Sequence, residues 1–180
     1  MATFKQMTDF YSQIGATDVQ HTEKGYLPHA IGVHNDLKKW DCEEDIVLAG
    51  LFHSIYGTEK FQKFALPTER RSEVTELIGE RAERLAWMNC FINRTHFDQE
   101  IHKDAGPYQI RDRAMDTLID VTDEDFDALC TIHLCDWLEQ VPRSQEWSYR
   151  RAAYRRLADR LGGIALESYD RVYTLEPVAS

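Results

Sequence analysis

The sequence lacks the features that define several large classes of protein. No apolar run approaches the roughly 18 residues that a membrane-spanning helix requires, and the first residues carry no apolar stretch typical of a signal peptide. Lys and Arg total 21 against 31 Asp and Glu, so the chain has no basic excess with which to hold nucleic acid. We therefore expect a cytoplasmic protein that binds neither nucleic acid nor membrane.

Cysteine, glycine and proline are also scarce. The 4 cysteines form no CxxC pair or regular framework, so we expect reduced thiols. Only 9 Gly and 5 Pro interrupt the chain, which is typical of long helices joined by short breaks. No segment alternates with period two, so we expect almost no sheet. These patterns predict an all-α fold in one domain over residues 1–180, with a core at about 3–161 and a C-terminal tail at 162–180.

Apolar periodicity and capping residues place the helices. Asp41 and Glu44 form a capping-box pattern before the segment from Ile46 to His53, which is apolar on every side and so belongs at the centre of a bundle. A short helix is predicted between Met115 and Ile119. The other predicted helices cover residues 3–14, 28–40, 72–78, 80–93, 122–141 and 144–161.

The candidate chemistry is a dispersed set of histidines and carboxylates. The sequence has no HExxH, Walker loop, GxGxxG or GxSxG motif. Instead, His29 lies in the first turn of one predicted helix and His53 at the buried end of the next. His133 and Asp136 share one face of a late helix. Histidine and carboxylate ligands from separate helices can build a metal site in the core of a bundle, and such ligands suit Zn, Fe, Ni or Mn.

Two segments carry a resemblance to a known family. They are the stretches from His21 to His29, HTEKGYLPH, and from Leu48 to Thr58, LAGLFHSIYGT. Both resemble the HD-domain superfamily, nearest to the hydrolase domain of the RelA/SpoT alarmone enzymes and to a bacterial HD-like branch with an LFHSIYGT signature. The resemblance implies a single HD-like helical bundle in which His29, His53 and Asp136 hold a metal ion.

The sequence departs from the family pattern beside His53. The superfamily has a metal-binding Asp where this chain has Ser54, and the alarmone hydrolases have a Glu-Asp pair where it has Tyr56-Gly57. A hydroxyl is a poorer ligand than a carboxylate, so we expect one divalent ion (Fe, Mn or Zn) and no alarmone hydrolysis of the usual kind. His21 and His133 are the candidates to replace the lost ligand. A site without any metal is the alternative.

Further catalytic candidates surround this set. Ser54 and Tyr56 adjoin His53 and would border a pocket there. Arg70 and Arg71 are candidates to clamp an anionic substrate, and Glu83 is a candidate general base. The alternatives are structural: a core histidine at His53, a solvated arginine pair, and an ordinary first-turn acid at Glu83.

The leading functional hypothesis is a divergent metal-dependent hydrolase of a small phosphorylated or otherwise anionic metabolite. One alternative is an HD-type oxygenase with a single iron, and another is a non-catalytic descendant that binds a ligand or only maintains the fold. A basic stripe near the C-terminus is interpreted as a solvated face or as the contact of a homodimer. Its members are Arg150, Arg151, Arg155 and Arg156.

Overall fold

Helices account for most of the structure. A computed structural model describes residues 2–17, 19–21 and 24–178, and this described part is 62% helix and 7% strand. In chain order the helices are α1 (Phe4–Gln13), α2 (Tyr26–Lys39), α3 (Glu44–Leu51), α4 (Arg71–Ile78), α5 (Glu80–Phe91), α6 (Arg94–Glu100), α7 (Asp123–Ser144), α8 (Arg151–Leu161) and α9 (Gly163–Tyr173), with a 3-10 helix at Thr68–Arg70. The predominantly helical fold is confirmed. Among the described residues, no helix has the length and apolar character needed to cross a membrane.

Two short antiparallel pairs correct the expectation of an all-α chain. Strands β1 (Gln20–His21) and β2 (Lys24–Gly25) form one pair, and β3 (Tyr108–Arg111) and β4 (Leu118–Val121) form the other. The predicted helix at 115–119 is therefore wrong. In β3, Tyr108 and Ile110 are buried while the two residues between and after them are partly exposed, which is the period of a strand with one face on the core. Four residues are too few for that alternation to stand out in the sequence.

Threonine side chains cap two helices, whereas the cap predicted at Asp41 does not form. Thr3 forms a capping box with Gln6 at the start of α1, and Thr122 accepts the backbone N–H of Asp125 at the start of α7. Asp41 does not cap α3, because its backbone is left-handed (φ +57°) and Glu43 occupies the N-cap position. The start of α3 thus lies two residues later than the capping-box pattern indicates.

Helix α3 lies at the centre, as its all-round apolar character predicts. It packs against α2, α5 and α7, and all of its residues from Val47 to Leu51 are buried. The helix ends at Leu51, so His53 lies in the turn that follows and not on the helix itself. This turn passes through the core, where residues 51–58 are all buried.

Gly50 sets the close approach of α2 and α3, and Gly50→Ala tests it. An added Cβ would overlap the buried Leu37 side chain and lie 3.4 Å from Cγ1 of Val33. Overpacking of this kind costs about 1–3 kcal/mol, which exceeds the gain of about 0.5–1 kcal/mol for alanine over glycine in a helix. We expect a lower free energy of unfolding in urea. An unchanged or higher value would mean that Leu37 moves aside freely.

The C-terminal helices cover α7. The predicted helix at 144–161 begins only at Arg151, after a left-handed Gln145 ends α7 and a left-handed Arg150 precedes α8. The segment that the sequence leaves as a tail contains α9, which packs on both α7 and α8. Tyr154 of α8 stacks on Trp137 of α7 with ring centroids 4.8 Å apart. These contacts bury the middle of α7, where the candidate site lies.

Candidate metal centre

Three core elements bring His29, His53 and Asp136 together. His29 lies in the first turns of α2, His53 in the turn after α3, and Asp136 near the middle of α7. Pro28 is tolerated beside His29 because the first amides of a helix have no partner within it. All three residues are buried, and one ligand atom from each lies within 4.8 Å of the others. We call these three residues the metal group.

The distances within the metal group suit a single divalent ion. His29 Nε2 is 3.0 Å from Asp136 Oδ1, and His53 Nε2 is 3.4 Å from the same oxygen. Ligand atoms about 2.1 Å from an ion lie about 3.0 Å apart in octahedral and about 3.4 Å apart in tetrahedral coordination. Two imidazole nitrogens and one carboxylate form a donor set typical of Zn, Fe or Mn. The residues present therefore fit one such ion.

The surroundings of His53 leave its Nε2 directed at the metal group. Its Nδ1 donates a hydrogen bond to the carbonyl oxygen of Gly50 at 2.8 Å, so Nε2 is the ring nitrogen that faces Asp136. The carbonyl oxygen of His53 accepts from the side chain of Asn89 at 2.8 Å and from the thiol of Cys90 at 3.2 Å. Side chains of α5 therefore hold the backbone of His53 in place in the turn after α3.

Glu139 is a site residue that the sequence analysis missed. It follows Asp136 by one turn of α7, and one of its carboxylate oxygens accepts from Nδ1 of His29. Lys24 and Arg143 also donate to this carboxylate, at 2.8 and 2.5 Å. A carboxylate on the far nitrogen of a metal-binding histidine fixes the ring and raises its basicity. In the sequence, the three-residue spacing of Asp136 and Glu139 indicates that both carboxylates lie on the same face of the helix.

Opposite charges in this buried cluster stabilise one another. Burial would raise the pKa of Asp136, but the facing imidazoles of His53 and His29 hold that pKa well below its usual range. Burial would lower the pKa of His29, yet its hydrogen bonds with Asp136 and Glu139 raise it to about 9. Burial also opposes ionisation of Glu139, whose hydrogen bond with His29 brings its pKa down to about 2. Both carboxylates are thus ionised at neutral pH, and an ion bound here competes with a proton on His29.

A cavity of about 240 Å³ adjoins the metal group, and we call it the site cavity. Its lining includes His53, Ser54 and Asp136, together with three basic side chains, Lys60, Lys63 and Arg94. It is smaller than the roughly 300–1,000 Å³ of pockets for drug-sized ligands. A wider depression between α8 and α9 is lined by none of the metal group.

The other predicted catalytic residues have structural partners. Ser54 lines the site cavity, and its hydroxyl donates to the hydroxyl of Tyr26 at 3.2 Å. Tyr56 donates to Glu83 at 2.8 Å, and Arg71 makes two hydrogen bonds of 2.7 Å to the same carboxylate. Arg70 pairs with Glu73. Of these residues, only Ser54 lines the site cavity.

Of the two candidate replacement ligands, His133 does not join the metal group. His133 is buried, and both of its ring nitrogens have partners. Nε2 accepts from Arg150 at 2.7 Å, and Nδ1 lies 3.4 Å from the amide oxygen of Asn89. Burial and the nearby guanidinium of Arg150 hold the pKa of His133 well below its usual value. The backbone of His21 belongs to β1, but its side chain lies outside the part of the structure that is described.

Arg150 also departs from the basic stripe predicted for the C-terminal region. Its side chain is 12% exposed and pairs with Asp98 of α6, so it ties α6 to the start of α8. Arg155 lies on the surface and pairs with Asp159 and Asp170. Arg151 and Arg155 are exposed, whereas Arg150 and Arg156 are partly buried, and no periodicity in the sequence separates the two kinds.

The chain matches a family model described as a domain of unknown function, DUF6817, over residues 10–94. The matched stretch contains His29 and His53 and ends before Asp136 and Glu139. No curated protein and no solved structure matches the chain. The comparisons therefore bring no activity with them, and the function has to be argued from the site.

Proposed function

We propose that this chain is a divergent HD-domain protein that uses a single divalent ion to hydrolyse a small phosphorylated metabolite. The observation that supports this most strongly is the metal group itself. Its three residues are separated by up to 107 positions in the sequence, yet their ligand atoms lie within 4.8 Å in the core. They are also the three residues that the HD resemblance implies as ligands.

The residues of the chain have distinct tasks in this proposal. His29, His53 and Asp136 hold the ion, and Glu139 and the Gly50 carbonyl orient the two imidazoles from behind. A divalent ion in such a site supplies Lewis-acid chemistry and a water that is nucleophilic at neutral pH. Ser54 cannot replace the carboxylate of the HD doublet as a strong ligand, which supports one ion and not two.

The site cavity supports a small, anionic substrate. It opens beside the metal group, and its volume of about 240 Å³ restricts the ligand to a compact molecule. Its three basic side chains favour negative charge. Because Arg70 and Arg71 do not line it, this proposal assigns no role in substrate binding to either of them.

Metal analysis of wild-type protein, His53→Ala and His102→Ala tests the proposal. The protein is purified without an affinity tag or chelator, and the metal content is measured by mass spectrometry. We expect about one equivalent of Fe, Mn or Zn in the wild type and less than about a tenth of that in His53→Ala, since one of three protein ligands is lost. His102 is exposed and outside the metal group, so His102→Ala should retain the ion.

The loaded protein is then assayed for release of inorganic phosphate from phosphate monoesters and nucleotides, beside a measurement of oxygen uptake. Phosphate release that His53→Ala abolishes is the expected result. Oxygen uptake without phosphate release would replace the hydrolase with the iron oxygenase. Wild-type protein that carries no metal and takes up none would contradict the hydrolase and support a non-catalytic descendant of the HD fold.

A further inference from the structure

Arg94 is a buried cation without a counter-ion. It is 7% exposed, and it is the one buried lysine or arginine among the described residues. Its guanidinium donates to the hydroxyl of Tyr149 at 2.7 Å, which is a neutral partner. Glu59 is bonded to the backbone N–H of Arg94 and not to its guanidinium. Within the described parts of the chain, no carboxylate forms an ion pair with this side chain.

This is unusual for a buried charge, because desolvation is compensated only by pairing and hydrogen bonding. Arg150, whose side chain is 12% exposed, satisfies that rule by pairing with Asp98. Arg113 is only partly buried and donates to the carbonyl oxygens of Cys90 and Gly57 at 3.0 Å. Arg94 instead lines the site cavity. An anion in the cavity would supply the missing partner.

Two lysines add positive charge at the same place. Lys60 and Lys63 both line the site cavity. Lys60 lies 4.0 Å over the ring of Tyr149, the residue that holds Arg94, and also contacts Glu146. Lys63 is exposed and forms no ion pair with any described residue. Lys60 is partly compensated by Glu146, so Arg94 and Lys63 are the cations at the cavity without an ion pair among the described residues. Their charges beside a cavity of about 240 Å³ suit a compact group with more than one negative charge.

We infer that Arg94 is the anchor of an oxyanion subsite in the site cavity, and that this subsite takes the phosphoryl group of a small phosphate monoester. A guanidinium presents parallel N–H donors that match phosphate oxygens, and Tyr149 holds it in place. Asp136 and His53 line the same cavity, so a phosphoryl group on Arg94 lies in the same space as the metal group. The assignment of this ligand as the substrate rests on the proposed function, whereas the anion subsite does not.

Titration calorimetry with inorganic phosphate tests the subsite on the metal-free full chain, where no ion can bind phosphate in its place. We expect one binding site in the wild type and about tenfold weaker binding in Arg94→Gln, because a charge-assisted hydrogen bond is lost. The matched control is Arg70→Gln, which changes an exposed arginine paired with Glu73 outside the cavity. It should bind phosphate within twofold of the wild type. Acetate should bind more weakly than phosphate to the wild type.

A second variant tests the inference if Arg94→Gln does not fold. Lys63→Gln changes an exposed side chain and should weaken phosphate binding about threefold with no change in the unfolding curve. Phosphate binding that is unaffected in both Arg94→Gln and Lys63→Gln would overturn the inference, as would acetate binding equal to that of phosphate. Phosphate binding that depends on Arg94 in a protein that takes up no metal would refute the proposed hydrolase and leave the subsite standing.

Discussion

Replacing Glu83 with alanine is expected to lower the free energy of unfolding by about 3 kcal/mol. Glu83 is 3% exposed and accepts two hydrogen bonds from Arg71 and one from Tyr56. Removing one partner of a buried ion pair costs about 3–5 kcal/mol. We place the value at the lower end because the Arg71 side chain is 36% exposed. Urea unfolding followed by tryptophan fluorescence measures the change.

Two isosteric variants compare the loss of charge from a buried ion pair with the same loss from an exposed one. Glu83→Gln and Glu73→Gln each remove the negative charge from a carboxylate that makes two hydrogen bonds with an arginine. The pair of Arg70 and Glu73 is exposed and screened by solvent, so Glu73→Gln should leave the urea midpoint nearly unchanged. Glu83→Gln should shift it clearly. Equal midpoints for the two variants would show that burial adds nothing to the Glu83 pair.

The same variants test whether Glu83 acts as a general base. The sequence makes Glu83 a candidate general base, but its three hydrogen bonds leave it engaged with Arg71 and Tyr56. A structural role predicts that folded Glu83→Gln retains the metal content and the phosphate affinity of the wild type at low temperature. If it instead lost metal or phosphate while remaining folded, Glu83 would belong to the site.

The sequence predicts most of the long helices but neither α6 nor α9, and it predicts none of the short strands. A helix of ten or more residues repeats its apolar pattern several times, as α1 and α7 do, and a capping threonine marks its start. The strands at Tyr108–Arg111 and Leu118–Val121 show at most two cycles of alternation. Their pairing depends on contacts with each other across a turn, which a local pattern does not contain.

The residues of the candidate site also differ in whether the sequence predicts them. The sequence predicts His29, His53 and Asp136 as a group because a family resemblance joins residues that are distant in the chain. Arg94 carries no signal in the sequence, since it starts a short helix in a polar stretch and only the fold shows that it is buried. Glu83 and Arg71 show the converse. Both have the residue types of catalysis, but their local sequence cannot indicate that they pair with each other across two helices.

Glu139→Gln is expected to weaken metal binding by 10- to 100-fold, since outer carboxylates on metal-binding histidines contribute about that much. The variant keeps the shape of the side chain but removes the charge that faces Nδ1 of His29. Titration of Co²⁺ or Zn²⁺ against a chromophoric chelator measures the affinity. Glu124→Gln is the control, because Glu124 lies on the same helix with a side chain that is 72% exposed. Unchanged affinity in Glu139→Gln would reduce Glu139 to a structural ion pair with Lys24 and Arg143.

Gly32→Ala tests the position of the Glu139 carboxylate without changing its charge. An added Cβ would lie 2.5 Å from Oε1 and 2.9 Å from Cδ of Glu139, so the carboxylate has to move relative to His29. Alanine in a helix is otherwise stabilising by about 0.5–1 kcal/mol over glycine. We therefore expect weaker metal binding in a protein that is no less stable than Glu139→Gln. That combination would mean that the geometry of the contact with His29, and not only the negative charge near it, determines the affinity of the metal group.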